Sequence, residues 1–481
     1  MFLGLDIGTS GVKAVLVDED QNIIEQTTAP LTSQRPHTLW SEQNPRDWWE
    51  ATSAAVKSLS PTGRDAVKAI GLAGQMHGAT CLGENDHVLR PAILWNDGRS
   101  HTQCEQMMAD MPSLPSIAGN LAMPGFTAPK LVWLREHEHD TFKKIKKILL
   151  PKDYVRLLMS GDYASDLSDS AGTLWMDVEK RTWSDEILSL TGLSRDHMPK
   201  LYEGNDFTGE LKASVAADWG LPIVPIAAGG GDNAAGAVGV GTVDAGDGFL
   251  SLGTSGVIFL ADKKYNPRPE TAVHTFCHAL PDRWHQMSVI LSAASAVDFV
   301  SKITGFSTPA DLYAAAEALN SPSKTLQFLP YLSGERTPHN NPNAKGAFFG
   351  LTHEDDKNTM AQAALEGVAF ALADGLDALR DAGASIEALS VIGGGARSQY
   401  WGKILASSFA IPLHYRDGST VGPAYGAARL ARLALKQDSI DTVCQPPKLD
   451  FTIEPDTDLQ AIYSEKRKTF KTLYTQTKDL S

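Results

Sequence analysis

Two aspartates in this chain adjoin runs of glycine. Asp6 opens the stretch Asp6-Ile7-Gly8-Thr9-Ser10-Gly11-Val12-Lys13, and Asp232 ends Gly229-Gly230-Gly231 and precedes Asn233. The pentapeptide Gly-Thr-Ser-Gly-Val of the first stretch recurs at 253–257, where Ser251 takes the place of Asp6. Each copy lies between apolar runs, so each reads as a β-hairpin. Glycine lets backbone N–H groups approach a ligand, and Thr9, Ser10, Thr254 and Ser255 add hydroxyl donors. Two such turns facing each other would grip a polyphosphate from both sides. The contacts would be Gly8, Thr9, Ser10, Lys13, Gly253, Thr254 and Ser255. The Gly-Lys-Ser/Thr ending of a P-loop is missing. One copy alone reads as a plain β-turn; the repetition favours the phosphate role.

Asp232 follows a strand and a glycine turn, the rigid edge where open α/β sheets carry their chemistry. A carboxylate there could take the proton of an attacking hydroxyl, a contribution of roughly 10²- to 10⁴-fold. Spacing alone leaves equal room for a helix-capping role. Gly393-Gly394-Gly395-Ala396 also joins a strand to a helix and suits a nucleotide, with Gly394, Gly395 and Ser398 as contacts; a tight turn is the alternative. Gln75, Met76 and His77, with Asn96 and Asp97, follow strand ends and offer the donors and acceptors that buried sugar hydroxyls need. A structural histidine and a core methionine compete with that reading. The thirteen histidines show no metal spacing such as His-Glu-x-x-His.

The elements that must position these groups alternate strand and helix. The first half predicts strands near 2–7, 12–18, 22–28, 67–73 and 223–228, with a helix from Asn44-Pro45 to about Leu59 and another from about Asn233. The second predicts a hairpin at 248–261, a strand at 284–291, a long helix over 358–382, a strand at 389–392 and a last helix over 421–435. The pattern predicts α/β layers, with each sheet mixed because of its opening hairpin. At 481 residues two domains are expected, 1–244 and 245–481, hinged near 240–248.

The net charge of −14 opposes general binding to nucleic acid or anionic membranes. No run approaches the roughly 18 apolar residues of a membrane span. Cys81, Cys104, Cys277 and Cys444 have no CxxC spacing, so reduced thiols in a cytoplasmic protein are expected.

Together these residues resemble the FGGY carbohydrate kinase family of the actin-like ATPase superfamily, over nearly the whole chain. Asp6-x-Gly8-Thr9-Ser10 and Gly253-Thr254-Ser255 are similar to its two phosphate motifs, and 393–395 to its adenosine motif. The Gly125-x-Thr127-x-x-Lys130-Leu131-x-Trp133-Leu134-x-Glu136-His137 stretch matches a family signature. Three segments, 74–78, 95–99 and 334–339, resemble the xylulokinase branch. Thr420-Val421-Gly422-Pro423 departs from the pattern, where many members have an acid and small polar residues.

The resemblance implies two actin-like (ribonuclease H-like) domains with a cleft between them. It implies sugar binding and catalysis in the first and nucleotide binding in the second. The implied reaction phosphorylates a ketopentose with ATP and Mg²⁺. Asp232 would be the catalytic base, and Gln75, Met76, His77, Asp97 and Asn233 the sugar contacts. Asp6 would be the metal ligand. A related ketose or polyol kinase, such as a ribulokinase, is the first alternative, and an actin-like ATPase without a sugar the second. A homodimer is compatible with the sequence, which does not fix the assembly.

Overall fold

A computed structural model of the chain describes residues 1–393, 395, 398–416 and 422–480. Two seven-stranded mixed sheets carry it. The opening run forms β1, Phe2–Ile7, and turns into β2, Gly11–Val17, which continues antiparallel into β3, Ile23–Pro30. Helix α1, Pro45–Lys57, starts where the sequence places it: the Asn44 side chain accepts from Arg46 N, and proline fills the first helical position. Strand β4, Ala69–Gly74, pairs parallel with β1. Helix α2, Pro151–Ser160, strand β5, Phe207–Glu210, and strand β6, Pro225–Ala227, follow. The two-residue β7, Gly230–Gly231, pairs with β4 and leads into helix α3, Asp232–Val240.

The second sheet is built from β8, Gly248–Leu252; β9, Gly256–Asp262; β10, His274–Cys277; and β11, Trp284–Ile290. Helix α4, Lys357–Asp381, precedes β12, Leu389–Ile392. Helix α5, Gln399–Phe409, then β13, Leu413–Arg416, and helix α6, Pro423–Ala434, come next. The chain closes with β14, Leu449–Ile453, and helix α7, Thr457–Thr477.

The two sheets repeat each other. Read as β3-β2-β1-β4-β6-β5 and β11-β9-β8-β12-β13-β14, both run antiparallel, antiparallel, parallel, parallel, antiparallel. Only the chain order of the last two strands is exchanged, and β10 extends the second sheet beyond β11. The segment 393–396 matches the one after β4, Gln75 to His77, rather than 229–233. The counterpart of 229–233 follows β13 at 417–421, outside the described residues, as are Gly394 and the Thr420-Val421 departure.

The repeated pentapeptides also differ in register. Ile7 pairs with Val12, whereas Leu252 pairs with Gly256, so the first turn is one residue longer. The halves meet along α3 and α6. A Cβ on Gly426 of α6 would lie 1.7 Å from Ala235 O, and one on Gly71 of β4 1.9 Å from Ala427 O, so this contact requires bare backbone. Elsewhere, Phe249, Phe259, Phe276 and Met287 of the second sheet share an apolar cluster with Leu131, Trp175 and Ile187 of the first half.

Helix α7, beyond the last helix predicted from sequence, buries Tyr463, Phe470 and Leu473, and Phe370 of α4 stacks edge-on against Tyr463 and Phe470. All four cysteines are free and buried. Among the described residues, no helix is long and apolar enough to cross a membrane.

Candidate active site

The parallel strands of each sheet end on one edge, and the predicted motifs lie there. Ile7 and Gly231 both pair with Gly74, so the turn at 8–10, the segment 75–77 and Asp232 leave the first sheet together. In the second sheet Ser251 pairs with Ile392, which puts the turn at 253–255 beside Gly393. Gly393 has φ of +93°, and a Cβ there would lie 2.8 Å from Leu252 O.

A cavity of about 310 Å³ opens between the halves. The first half contributes Met76, His77, Trp95, Met123, Phe126, Asp232 and Asn233 to its walls, and the second contributes Ser251, Ser255, Val257, His274, Phe276, Met287, Val289 and Arg336. A larger groove of about 750 Å³ lies at the other end of the second sheet, around 240–248 and 382–390. It contains neither aspartate and neither turn.

Asp232 is the first residue of α3, and Gly231 is the N-cap, without a side-chain capping bond. The carboxylate is not the N-cap, but it satisfies one free N–H of the first turn. Its Oδ1 accepts from Asn233 N at 2.7 Å and Asn233 Nδ2 at 3.0 Å. Burial pushes the Asp232 carboxyl up to about 6, against the two Asn233 hydrogen bonds. Asp6 is pushed to about 7, by burial first and then by the charge of Asp232, with Lys13 opposing. Lys13 stands opposite Asp6 across the hairpin. Asp6 Oδ1 is buried without a hydrogen-bond partner.

The turn at 8–10 is held by a chain of side chains. Thr9 Oγ1 donates to Gln75 Oε1 and accepts from Trp95 Nε1, at 2.9 and 3.0 Å. Gln43 Nε2 donates to Thr9 O at 2.7 Å, while Gln43 Oε1 accepts from Gln75 Nε2 and Trp48 Nε1. Gln75 thus supports the turn from behind the cavity. The second turn caps a helix: Thr254 O accepts from Ala293 N and from Ser295 Oγ.

His77 lines the cavity with φ of +70°. Its Nδ1 lies 2.6 Å from Gly172 O. Burial, then the charge of Lys130, drives its pKa down to about 3, so the ring stays neutral. A carbonyl only accepts, so Nδ1 carries the proton and Nε2 is the acceptor. Lys130 and Thr127 of the signature stretch both donate to His77 O, which fixes the backbone beneath the ring. Asp97 does not border the cavity. Its oxygens accept from Arg99 N, Nε and Nη2 and from Ser41 N, so the structure gives it a scaffolding place. Ser398 N-caps α5, its hydroxyl accepting from Trp401 N.

Behind Asp232 lies a buried charged network. Gly231 N donates to Ser168 Oγ at 3.1 Å, and Ser168 Oγ donates to Asp166 Oδ1. Asp166 Oδ2 in turn pairs with Lys152 Nζ at 2.6 Å. Arg156 donates to Ala227 O, Ala228 O and Thr208 Oγ1. These contacts fix the turn that mounts Asp232. Sequence reading did not find Trp95, Phe126, His274, Phe276, Arg336 or this network. Trp95, Phe126 and Arg336 lie within stretches singled out by resemblance but without a role of their own, and His274 and Phe276 lie on the added strand β10.

Residues 1–239 match the N-terminal domain of the FGGY family of carbohydrate kinases, and residues 248–435 match its C-terminal domain. The chain is 54% identical over 479 residues to a xylulose kinase of Escherichia coli strain K12, covering 99% of each. It is 50% identical over 485 residues to a xylulose kinase of Klebsiella pneumoniae, covering 100% of each. A solved xylulose kinase from Rhodospirillum rubrum superposes with a TM-score of 0.93 at 26% identity, over 100% of this chain and 99% of that one. With both family domains matched in order over two sheets that repeat each other, the chain belongs to the FGGY family of carbohydrate kinases.

Proposed function

We propose that this chain transfers the γ-phosphoryl group of ATP to a primary hydroxyl of a ketopentose, D-xylulose giving D-xylulose 5-phosphate. The observation that carries this reading is one cavity that joins Asp232 and His77 to Ser255 of the second glycine turn. The sugar is suggested by the relatives, which are xylulose kinases.

Asp232 accepts the proton of the sugar hydroxyl as its oxygen bonds to the γ-phosphorus, and the bond from that phosphorus to the bridging oxygen of ADP breaks. His77 Nε2 accepts from a sugar hydroxyl, and Met76 and Asn233 complete that wall. The turns at 8–10 and 253–255 donate to the phosphates. Gly393, Gly395 and Ser398 lie toward the nucleoside. By this assignment residues 1–244 hold the base and most sugar contacts, and 245–481 hold the nucleotide.

Asp6, with its unpartnered buried Oδ1, suits Mg²⁺, which needs only one or two carboxylates beside phosphate oxygens and water. When bound, the ion supplies charge neutralisation to the triphosphate.

ADP release measured over a panel of ketoses and pentitols tests the reading. D-Xylulose should raise turnover above the sugar-free ATPase. Turnover indifferent to every sugar would refute it.

A further inference from the structure

Arg336 belongs to a second-half loop, yet it borders the cavity that holds Asp232, His77 and Trp95 of the first half. The loop is pinned on both sides of it. Glu335 N and Asn341 N each donate to the other residue's carbonyl at 2.8 Å, and Leu291 N donates to Glu335 Oε1 at 3.1 Å. Thr337 N donates to Val289 O, Val289 N donates to Thr337 Oγ1, and Thr337 Oγ1 donates to Ala272 O.

So held, the guanidinium donates from Nη1 to His274 Nε2 at 3.4 Å. Arginine can only donate, so the His274 proton sits on Nδ1 and is donated to Asn120 Oδ1 at 2.8 Å. Asn120 Nδ2 passes the chain on to Ala118 O and Thr275 O. Burial keeps His274 neutral, with the Arg336 charge adding to the effect. This relay uses one of five N–H groups. Among the described residues Arg336 forms no ion pair within 4 Å; burial pushes the neighbouring Glu335 carboxyl up to about 8, against the opposing charge of Arg336.

A guanidinium facing a cavity with most donors unspent calls for acceptor oxygens, and its planar fork fits two adjacent ones. A ketose offers such a pair in its carbonyl and the neighbouring hydroxyl. The aromatic contacts place Arg336 at the sugar end. His274 packs against Phe126 and Phe276, and both rings also contact His77. We propose that Arg336 is a specificity-determining residue, donating from the second half to adjacent oxygens of the ketose. This deepens the kinase reading above and rests on it.

Calorimetric titration of D-xylulose into the ATP-free protein, with kcat and KM measured alongside, tests the idea. Wild type should bind the sugar; no binding would remove the kinase reading and this inference with it. Arg336→Gln should weaken binding and raise the sugar KM about 10- to 100-fold, the range of a hydrogen bond from a charged group, with the ATP KM within twofold. Arg336→Lys keeps the charge without the fork and should recover only part of the loss. It should also discriminate less between D-xylulose and its pentitol than wild type does, which keeps the test alive if Arg336→Gln fails to fold. An unchanged sugar KM, or a fall in kcat alone, would overturn the assignment.

Discussion

Asp232→Asn should make the protein both less active and more stable. The Asp232 carboxyl is raised from 3.8 to about 6 by burial. Two units at about 1.36 kcal/mol each set a ceiling of roughly 3 kcal/mol on the cost of its charge. Solvent in the cleft reduces this to about 1–2 kcal/mol. The sign follows from linkage. A raised folded pKa means that the fold favours the protonated carboxyl. The penalty is absent below about pH 4, where the group is protonated both folded and unfolded, and complete above about pH 6. Asparagine keeps the shape without the charge, and it relieves Asp6, whose own rise includes the Asp232 charge.

Urea unfolding of the ligand-free variant and wild type at pH 8 and pH 5 measures this. The variant should be the more stable by about 1–2 kcal/mol at pH 8 and by about half that at pH 5. In a coupled ADP-release assay its turnover should fall roughly 10²-fold or more. For wild type, kcat/KM for sugar should rise with pH through about 6 as the base ionises. A variant less stable than wild type at pH 8 would refute the electrostatic argument, and one with near-full turnover would remove the base.

Four further outcomes are expected. His77→Ala should raise the sugar KM and leave the ATP KM nearly unchanged, because His77 lines the cavity while its Nδ1 is held by Gly172. Asp6→Asn should raise the Mg²⁺ concentration needed for half-maximal turnover; an unchanged requirement would exclude Asp6 as a ligand. Ser168→Ala leaves Gly231 N without its acceptor, a loss of about 1–3 kcal/mol, and should lower kcat about tenfold with little change in sugar KM. Gly71→Val drives a side chain into Ala427 O of α6, and circular dichroism melting should show a large loss of stability.

The sequence disclosed what is local and periodic. The hairpins, α1 with its Asn44 cap and α4 follow from turn residues, caps and apolar spacing. Helix α7 was legible in principle, since Leu459, Tyr463, Lys466, Phe470 and Leu473 recur at helical spacing. The cavity was half legible. Asp232, His77 and Met76 follow strand ends and were found there. Phe126, His274 and Arg336 come from a helix entry, an added strand and a loop, which only tertiary packing brings together. Asp97 stands outside the cavity for a related reason. An aspartate beside a strand end fits a sugar as well as it fits an arginine, and Arg99, two residues on, claims both oxygens.

The repeated pentapeptide makes a finer point about what sequence identity fixes. In an antiparallel pair, a shift of one residue changes which side chains oppose one another. The longer first turn sets Asp6 opposite Lys13, so its flank carries both charges. The shorter second turn sets Ser251 opposite Val257, and its flank is neutral. Five identical residues therefore close two hairpins with unlike surroundings. A cation and a proton acceptor are needed on one side of a triphosphate only, and the other side needs N–H and O–H donors without competing carboxylates. The asymmetry comes from Asp6 against Ser251 and from one residue of register. Asp232, which follows β7 at the same sheet edge, adds a second carboxylate to that side. A duplicated frame with such local differences can assign acid chemistry to one wall of a cleft and phosphate contact to both.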